Sequence, residues 1–119
     1  MQHAQQLADR YAAVFNEADP AARRRTIEQL WAPDAEQFTK TLHVRGHDAL
    51  AERISASHDK NVAAGGNRFR AVGNAQVLRD CVTFTWEMVH DGAVRAVGMQ
   101  VLLVDAQGRV LRDYQFIVS

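Results

Sequence analysis

At 119 residues and 13.3 kDa the chain has the length of one domain, and 47% hydrophobic residues suffice for one core and exclude a disordered polymer. The 14 lysines and arginines cancel the 14 aspartates and glutamates, which excludes the basic footprint of a nucleic-acid or anionic-membrane binder. A single cysteine excludes an intrachain disulfide, no apolar run approaches the ~18 residues of a membrane span, and Met1-Gln2-His3-Ala4-Gln5-Gln6 lacks the basic and apolar regions of an export signal, so a cytoplasmic location is expected.

Fourteen of the 19 alanines fall in the first 64 residues and ten of the 13 valines after residue 70. Alanine favours helix and branched valine favours strand, so helices precede a sheet in one α+β domain over residues 1–119. Helix one is expected from about Gln2 to Ala18, with Leu7, Tyr11, Val14 and Phe15 on one apolar stripe. Asp19-Pro20 caps and starts helix two, which runs to about Trp31 and buries Ile27, Leu30 and Trp31. Its Arg23-Arg24-Arg25 run reads as a solvated face. Pro33-Asp34 ends that helix, and residues 35–41 form a short strand. Helix three begins at Gly46-His47-Asp48 and stops before Gly65, with Leu50, Ile54 and His58 four apart on one face.

Four strands follow, at roughly 68–78, 81–90, 94–104 and 109–118, and Asp91-Gly92 marks a hairpin. Gly73 predicts a bulge in the first of them. Period-two alternation makes Val82, Phe84, Trp86 and Met88 one apolar wall and puts Cys81 on the other face, where it reads as a structural thiol. The next strand is apolar on both faces, and the last places Val110, Tyr114, Phe116 and Val118 opposite Leu111, Asp113, Gln115 and Ile117. Helices cover one sheet face, so the outer face predicts a homodimer packed sheet to sheet. Ala96, Gly98, Gln100, Asp113 and Gln115 are small or polar among wall residues, the pattern of a small-molecule cavity.

Six landmarks occur in order: Tyr11-Ala12-Ala13-Val14-Phe15-Asn16, Asp19-Pro20-Ala21, Trp31-Ala32-Pro33-Asp34-Ala35, Arg45-Gly46-His47-Asp48-Ala49-Leu50, Phe84-Thr85-Trp86-Glu87 and Asp105-Ala106-Gln107-Gly108-Arg109-Val110. With them nearly the whole chain resembles the nuclear transport factor 2-like superfamily, in its SnoaL-like and ketosteroid-isomerase-like branch. The resemblance implies three N-terminal helices packed in the concave face of a strongly curved, mostly antiparallel sheet, a cone-shaped α+β barrel with an internal pocket. Dimerisation through the outer sheet face is implied too. The superfamily hosts isomerases, cyclases, epoxide hydrolases and noncatalytic modules, so a reaction must be read from the residues.

The isomerase chemistry uses an aspartate base beside a tyrosine and a protonated aspartic acid. By the resemblance the tyrosine falls on Tyr11, the base on Thr39 and the acid on Gln100. Thr39 takes up no proton near neutral pH and Gln100 does not titrate, which argues against ketosteroid isomerisation. Asp113 remains as the inward carboxylate, either a general acid or base with a raised pKa or a group paired with an arginine or solvent near the mouth. The candidate catalytic set is therefore Asp113 moving a proton, with Tyr11 and Gln100 steadying an oxyanion. Candidate ligand-binding positions are Phe15, Thr39, Ile54, His58, Phe84, Trp86, Met88, Gly98, Gln115 and Ile117. His58 either exchanges protons in the cavity or caps its helix.

His43 and His47 lack a third partner, Ser55, Ser57 and Ser119 lie in no Gly-x-Ser-x-Gly, and no phosphate loop occurs, so neither a metal nor a cofactor is expected. Two functions remain open, with a polypeptide-binding adaptor, the role of the superfamily's namesake, as a weaker third. One is a cofactor-free acid/base isomerase, cyclase or hydrolase acting on a small apolar organic compound. The other is a noncatalytic ligand-binding or dimerisation module without the family's catalytic carboxylates.

Overall fold

The computed structural model of the chain describes residues 3–119. Helix α1 spans Ala4–Asn16 and buries Leu7, Tyr11, Val14 and Phe15 along one side; the expected start at Gln2 lies outside the described residues. Helix α2 spans Pro20–Leu30, and the Asp19 side chain accepts the Ala21 N–H at 3.1 Å, satisfying a first-turn amide. The arginine run is not a uniformly solvated face. Arg23 is only 4% exposed, and its guanidinium donates to the Glu17 carbonyl at 3.0 and 2.7 Å and to Ser55 Oγ at 2.8 Å. It thus closes the loop after α1 and ties α2 to the third helix, while Arg24 pairs with Glu28 and Asp48.

Helix α3 spans Gly46–Ser57 and continues into a wider π-helical turn, His58–Ala64. Leu50, Ile54 and His58 are buried on its core side, as their spacing predicts.

The strands are β1 (Trp31–Phe38), β2 (His43–Arg45), β3 (Arg68–Ala71), β4 (Gln76–Leu78), β5 (Cys81–His90), β6 (Ala93–Val104) and β7 (Val110–Ile117). They form one α+β sheet in the order β2-β1-β7-β6-β5-β3, with β4 also against β5. Among the described residues only β1 and β7 pair in parallel. The sheet is mildly curved and open, so the cone does not close into a barrel. Among the described residues no helix is long and apolar enough to cross a membrane.

Three boundaries differ from expectation. Strand β1 starts at Trp31, straight from α2, because Trp31, Ala32 and Ala35 all enter the core. Pro33 lacks an N–H and falls in the irregular stretch where pairing jumps from Trp31 with Val110 to Glu36 with Arg112. The three-residue β2 is too short to show a pattern; Thr39 Oγ1 accepts the Leu42 N–H at 3.0 Å and closes its turn. The expected strand at 68–78 is two, β3 and β4, separated by Gly73 at φ +87°.

The faces of β5 and β6 follow parity, with Val82, Phe84, Trp86, Gly98, Gln100 and Leu102 inward. Strand β7 does not follow it throughout. Leu103 pairs with Arg112 but Val104 with Val110, so an irregularity falls between them. Val110 and Asp113 are therefore both buried, and Leu111 is exposed rather than sharing the face of Asp113. Cys81 lies half-buried on the outer face rather than enclosed.

Candidate functional site

Four polar side chains from four elements meet in the core: Tyr11 on α1, Gln37 on β1, Gln100 on β6 and Asp113 on β7, the last three 0% exposed. Strand register brings them together. Gln37 is the direct partner of Asp113 across the parallel β1–β7 pair, while Gln100 faces Gln115, one inward position beyond Asp113. The Tyr11 hydroxyl donates to Asp113 Oδ2 at 2.6 Å. Gln37 Nε2 donates to the same oxygen at 3.0 Å, and Gln100 Nε2 donates to Oδ1 at 2.6 Å. Both amides also donate to the Tyr11 oxygen, at 2.9 and 2.8 Å.

The orientation of each glutamine is set from outside the cluster by a group that can only donate. Trp86 Nε1 donates to Gln100 Oε1 at 2.8 Å, and Arg53 Nε donates to Gln37 Oε1 at 3.1 Å. Each amide oxygen is thereby engaged, and each NH2 group must face the carboxylate.

Burial raises the Asp113 pKa from 3.8 to about 6, against the opposing pull of hydrogen bonds from Tyr11, Gln37 and Gln100. The Trp31 indole N–H lies near enough to favour the ionised form weakly, yet it is buried without a hydrogen-bond partner in normal geometry. Burial, and then the neighbouring carboxylate, hold Tyr11 well above the usual phenol range. Among the described residues no arginine contacts Asp113, and at 0% exposure it does not sit at a solvated mouth; Arg53 is linked to it through Gln37.

A cavity of about 220 Å³ adjoins the cluster. Tyr11 and Phe15 of α1 form one side, and Trp86, Met88, Gln115 and Ile117 form the sheet side. Arg53, Ser57 and Asn61, four residues apart along α3 and its π-helical turn, add a polar edge. Of the cluster only Tyr11 reaches the cavity; Gln37, Gln100 and Asp113 stand behind it.

The other expected positions lie elsewhere. Ile54 and Phe84 are packed in the core and do not line the cavity. Thr39 sits in the β1–β2 turn, holding the Thr41 and Leu42 N–H groups. His58 Nδ1 bonds the Phe15 carbonyl at 2.9 Å, so this histidine fastens the end of α1 to the π-helical turn. Gly98 leaves no vacancy, because the Trp86 indole fills the space its missing side chain creates. Two residues that sequence reading passed over, Gln37 and Arg53, complete the surroundings of Asp113. Gln37 was one pleat from Thr39 on the same face, and Arg53 begins the polar row to Ser57 and Asn61. Among the described residues no three histidine, cysteine or acidic side chains converge for a metal.

The sequence matches no protein-family model and no curated protein. Solved structures do match. A candidate isomerase of the SnoaL-like family from Agrobacterium tumefaciens is 25% identical, with all of both chains covered and a TM-score of 0.88. An NTF2-like protein of unknown function from Mesorhizobium loti is 21% identical over 99% of this chain and 93% of its own, with a TM-score of 0.70. A candidate polyketide cyclase from Sinorhizobium meliloti shares the fold at 16% identity over 93% and 94% of the two chains, with a TM-score of 0.65. The chain thus has the nuclear transport factor 2-like fold and is similar to SnoaL-like proteins of that superfamily.

Proposed function

We propose that the protein binds a small organic molecule in the 220 Å³ cavity and moves a proton on it without a cofactor. The observation that carries this reading is the 2.6 Å bond between a cavity-wall hydroxyl, Tyr11, and a fully buried carboxylate with no cation in contact, Asp113. A proton leaving a ligand C–H or O–H passes to the Tyr11 oxygen as the proton of Tyr11 crosses to Asp113 Oδ2. One of the two glutamine amides releases the tyrosine oxygen to admit it. The tyrosine ends unchanged, the carboxyl ends neutral, and the electron pair stays on the ligand as an enolate or alkoxide. Returning the proton at another atom completes an isomerisation or ring closure. Gln37 and Gln100 act as positioning groups, and the likeness to a candidate isomerase supports the assignment. A cavity of ~150 Å³ holds benzene, so this one suits a one-ring or short-chain ligand.

The test is exchange of the α-protons of phenylacetone in D2O near neutrality, followed by NMR. The wild type is expected to exceed Asp113→Asn by about 10²-fold, the scale of one general base. Binding without exchange above buffer would leave the second reading, a noncatalytic ligand-binding or dimerisation module. That reading is favoured by the cluster's closure on itself, because the Tyr11 proton and both amide NH2 groups already have acceptors inside it.

The proposal includes a homodimer through the outer sheet face, supported by Phe116 at 52% exposure beside its strand partner Met99. It also takes the protein to be soluble and cytoplasmic, and the neutral net charge supports neither nucleic acid nor an anionic membrane as partner.

A further inference from the structure

Among the described residues Arg53 is the single charged side chain on the cavity wall. It is half-buried, and its Nε is spent on Gln37. Its two terminal NH2 groups have no acceptor among the described residues, and no carboxylate pairs with it. The guanidinium also stacks 5.7 Å from the Phe15 ring centroid, which holds it at the cavity side of α3. A partly desolvated guanidinium with its planar fork unused is built to take a carboxylate through two parallel hydrogen bonds.

Its neighbours fit the same ligand group. Asn61 Nδ2 donates to Ser57 Oγ at 3.1 Å, so the Ser57 hydroxyl keeps its own proton free to donate. Arg53, Ser57 and Asn61 line both the internal cavity and a depression on the outer side of α3 that includes Leu42, Val44 and Lys60. They form the sill between interior and solvent. Across the cavity, Phe69, Trp86, Met88 and Ile117 present an apolar surface.

We infer that the ligand is an organic acid whose carboxylate sits on Arg53 at the sill and whose apolar body, about one ring in size, lies against Phe69, Trp86, Met88 and Ile117. The inference rests on the cavity being a ligand site, and the experiment separates the two. Calorimetric titration of the full chain compares 3-phenylpropanoate with its uncharged amide at low salt and pH 8. The wild type is expected to bind the carboxylate about tenfold more tightly, Arg53→Lys to keep part of that preference, and Arg53→Met to bring the two probes within about twofold of each other. Equal binding of both probes by the wild type overturns the assignment of Arg53 and leaves the cavity standing. So does a preference that survives Arg53→Met. Failure of both probes to bind at millimolar concentration overturns the cavity reading, and this inference with it. Should Arg53→Met fail to fold, the wild-type preference and its partial reduction in Arg53→Lys decide the question, and an undiminished preference in Arg53→Lys overturns the assignment.

Discussion

Tyr11 in the first helix and Asp113 in the last strand lie 102 residues apart in the chain and share a hydrogen bond of 2.6 Å. The bond joins a phenol that burial keeps protonated to a carboxyl that burial moves to about pH 6. Because the carboxyl takes up its proton more readily in the fold than in the unfolded chain, stability is linked to pH in a defined direction.

Asp113 contributes fully only below about pH 3, where it is protonated in both states. The contribution is lost as pH rises from 3.8 to about 6 and is constant above 7. The shift corresponds to about 3 kcal/mol. Urea unfolding from pH 4 to 8 should show the stability of the wild type falling relative to Asp113→Asn by about that amount. A difference independent of pH would refute the raised carboxyl.

Tyr11→Phe removes the donor that most favours the ionised carboxylate. Its carboxyl should then titrate above 6, read by carbon NMR of labelled aspartate. The two glutamine amides lose an acceptor, so stability should fall by about 1–3 kcal/mol.

Gly98→Ala is expected to cost about 1–3 kcal/mol, because a Cβ there meets the Trp86 indole ring and the backbone conformation itself is not strained. Moving the ring also breaks its bond to Gln100. A lowered denaturation midpoint with a shifted tryptophan emission would register both effects, and an unchanged midpoint would contradict the packing.

Phe116→Glu places a charge on the outer face opposite Met99. If the proposed dimer forms there, light scattering should fall from about twice 13.3 kDa to the mass of one chain, with thermal unfolding of the monomer retained. A wild type that is already monomeric ends the dimer proposal.

Local signals were legible in the sequence and pairwise ones were not. The bounds of β5 follow from the alternation of Val82, Phe84 and Trp86 before the Asp91-Gly92 turn. Asp113 was legible as inward, yet the irregularity that breaks the phase between Val110 and Asp113 carries no residue signature. Gly98 read as a vacancy because its occupant, Trp86, stands directly opposite on the neighbouring strand and is visible only once the register is known. Gln37 escaped notice because its partner strand, β7, is the last in the chain and runs parallel to β1. The helical stripe of Leu50, Ile54 and His58 showed which side of α3 is buried, but not that His58 reaches the Phe15 carbonyl.

The place of β7 between β1 and β6 has a consequence for biosynthesis. Of the seven strands described, the one synthesised after all the others is an interior one, so until it arrives the nascent chain carries two raw sheet borders and a tyrosine with no carboxylate to meet. Long-range closure of this kind makes folding slow relative to a helical bundle of equal length. Deleting β7 should therefore dismantle the sheet instead of fraying one border, and partly synthesised chains should be bound by chaperones until β7 emerges.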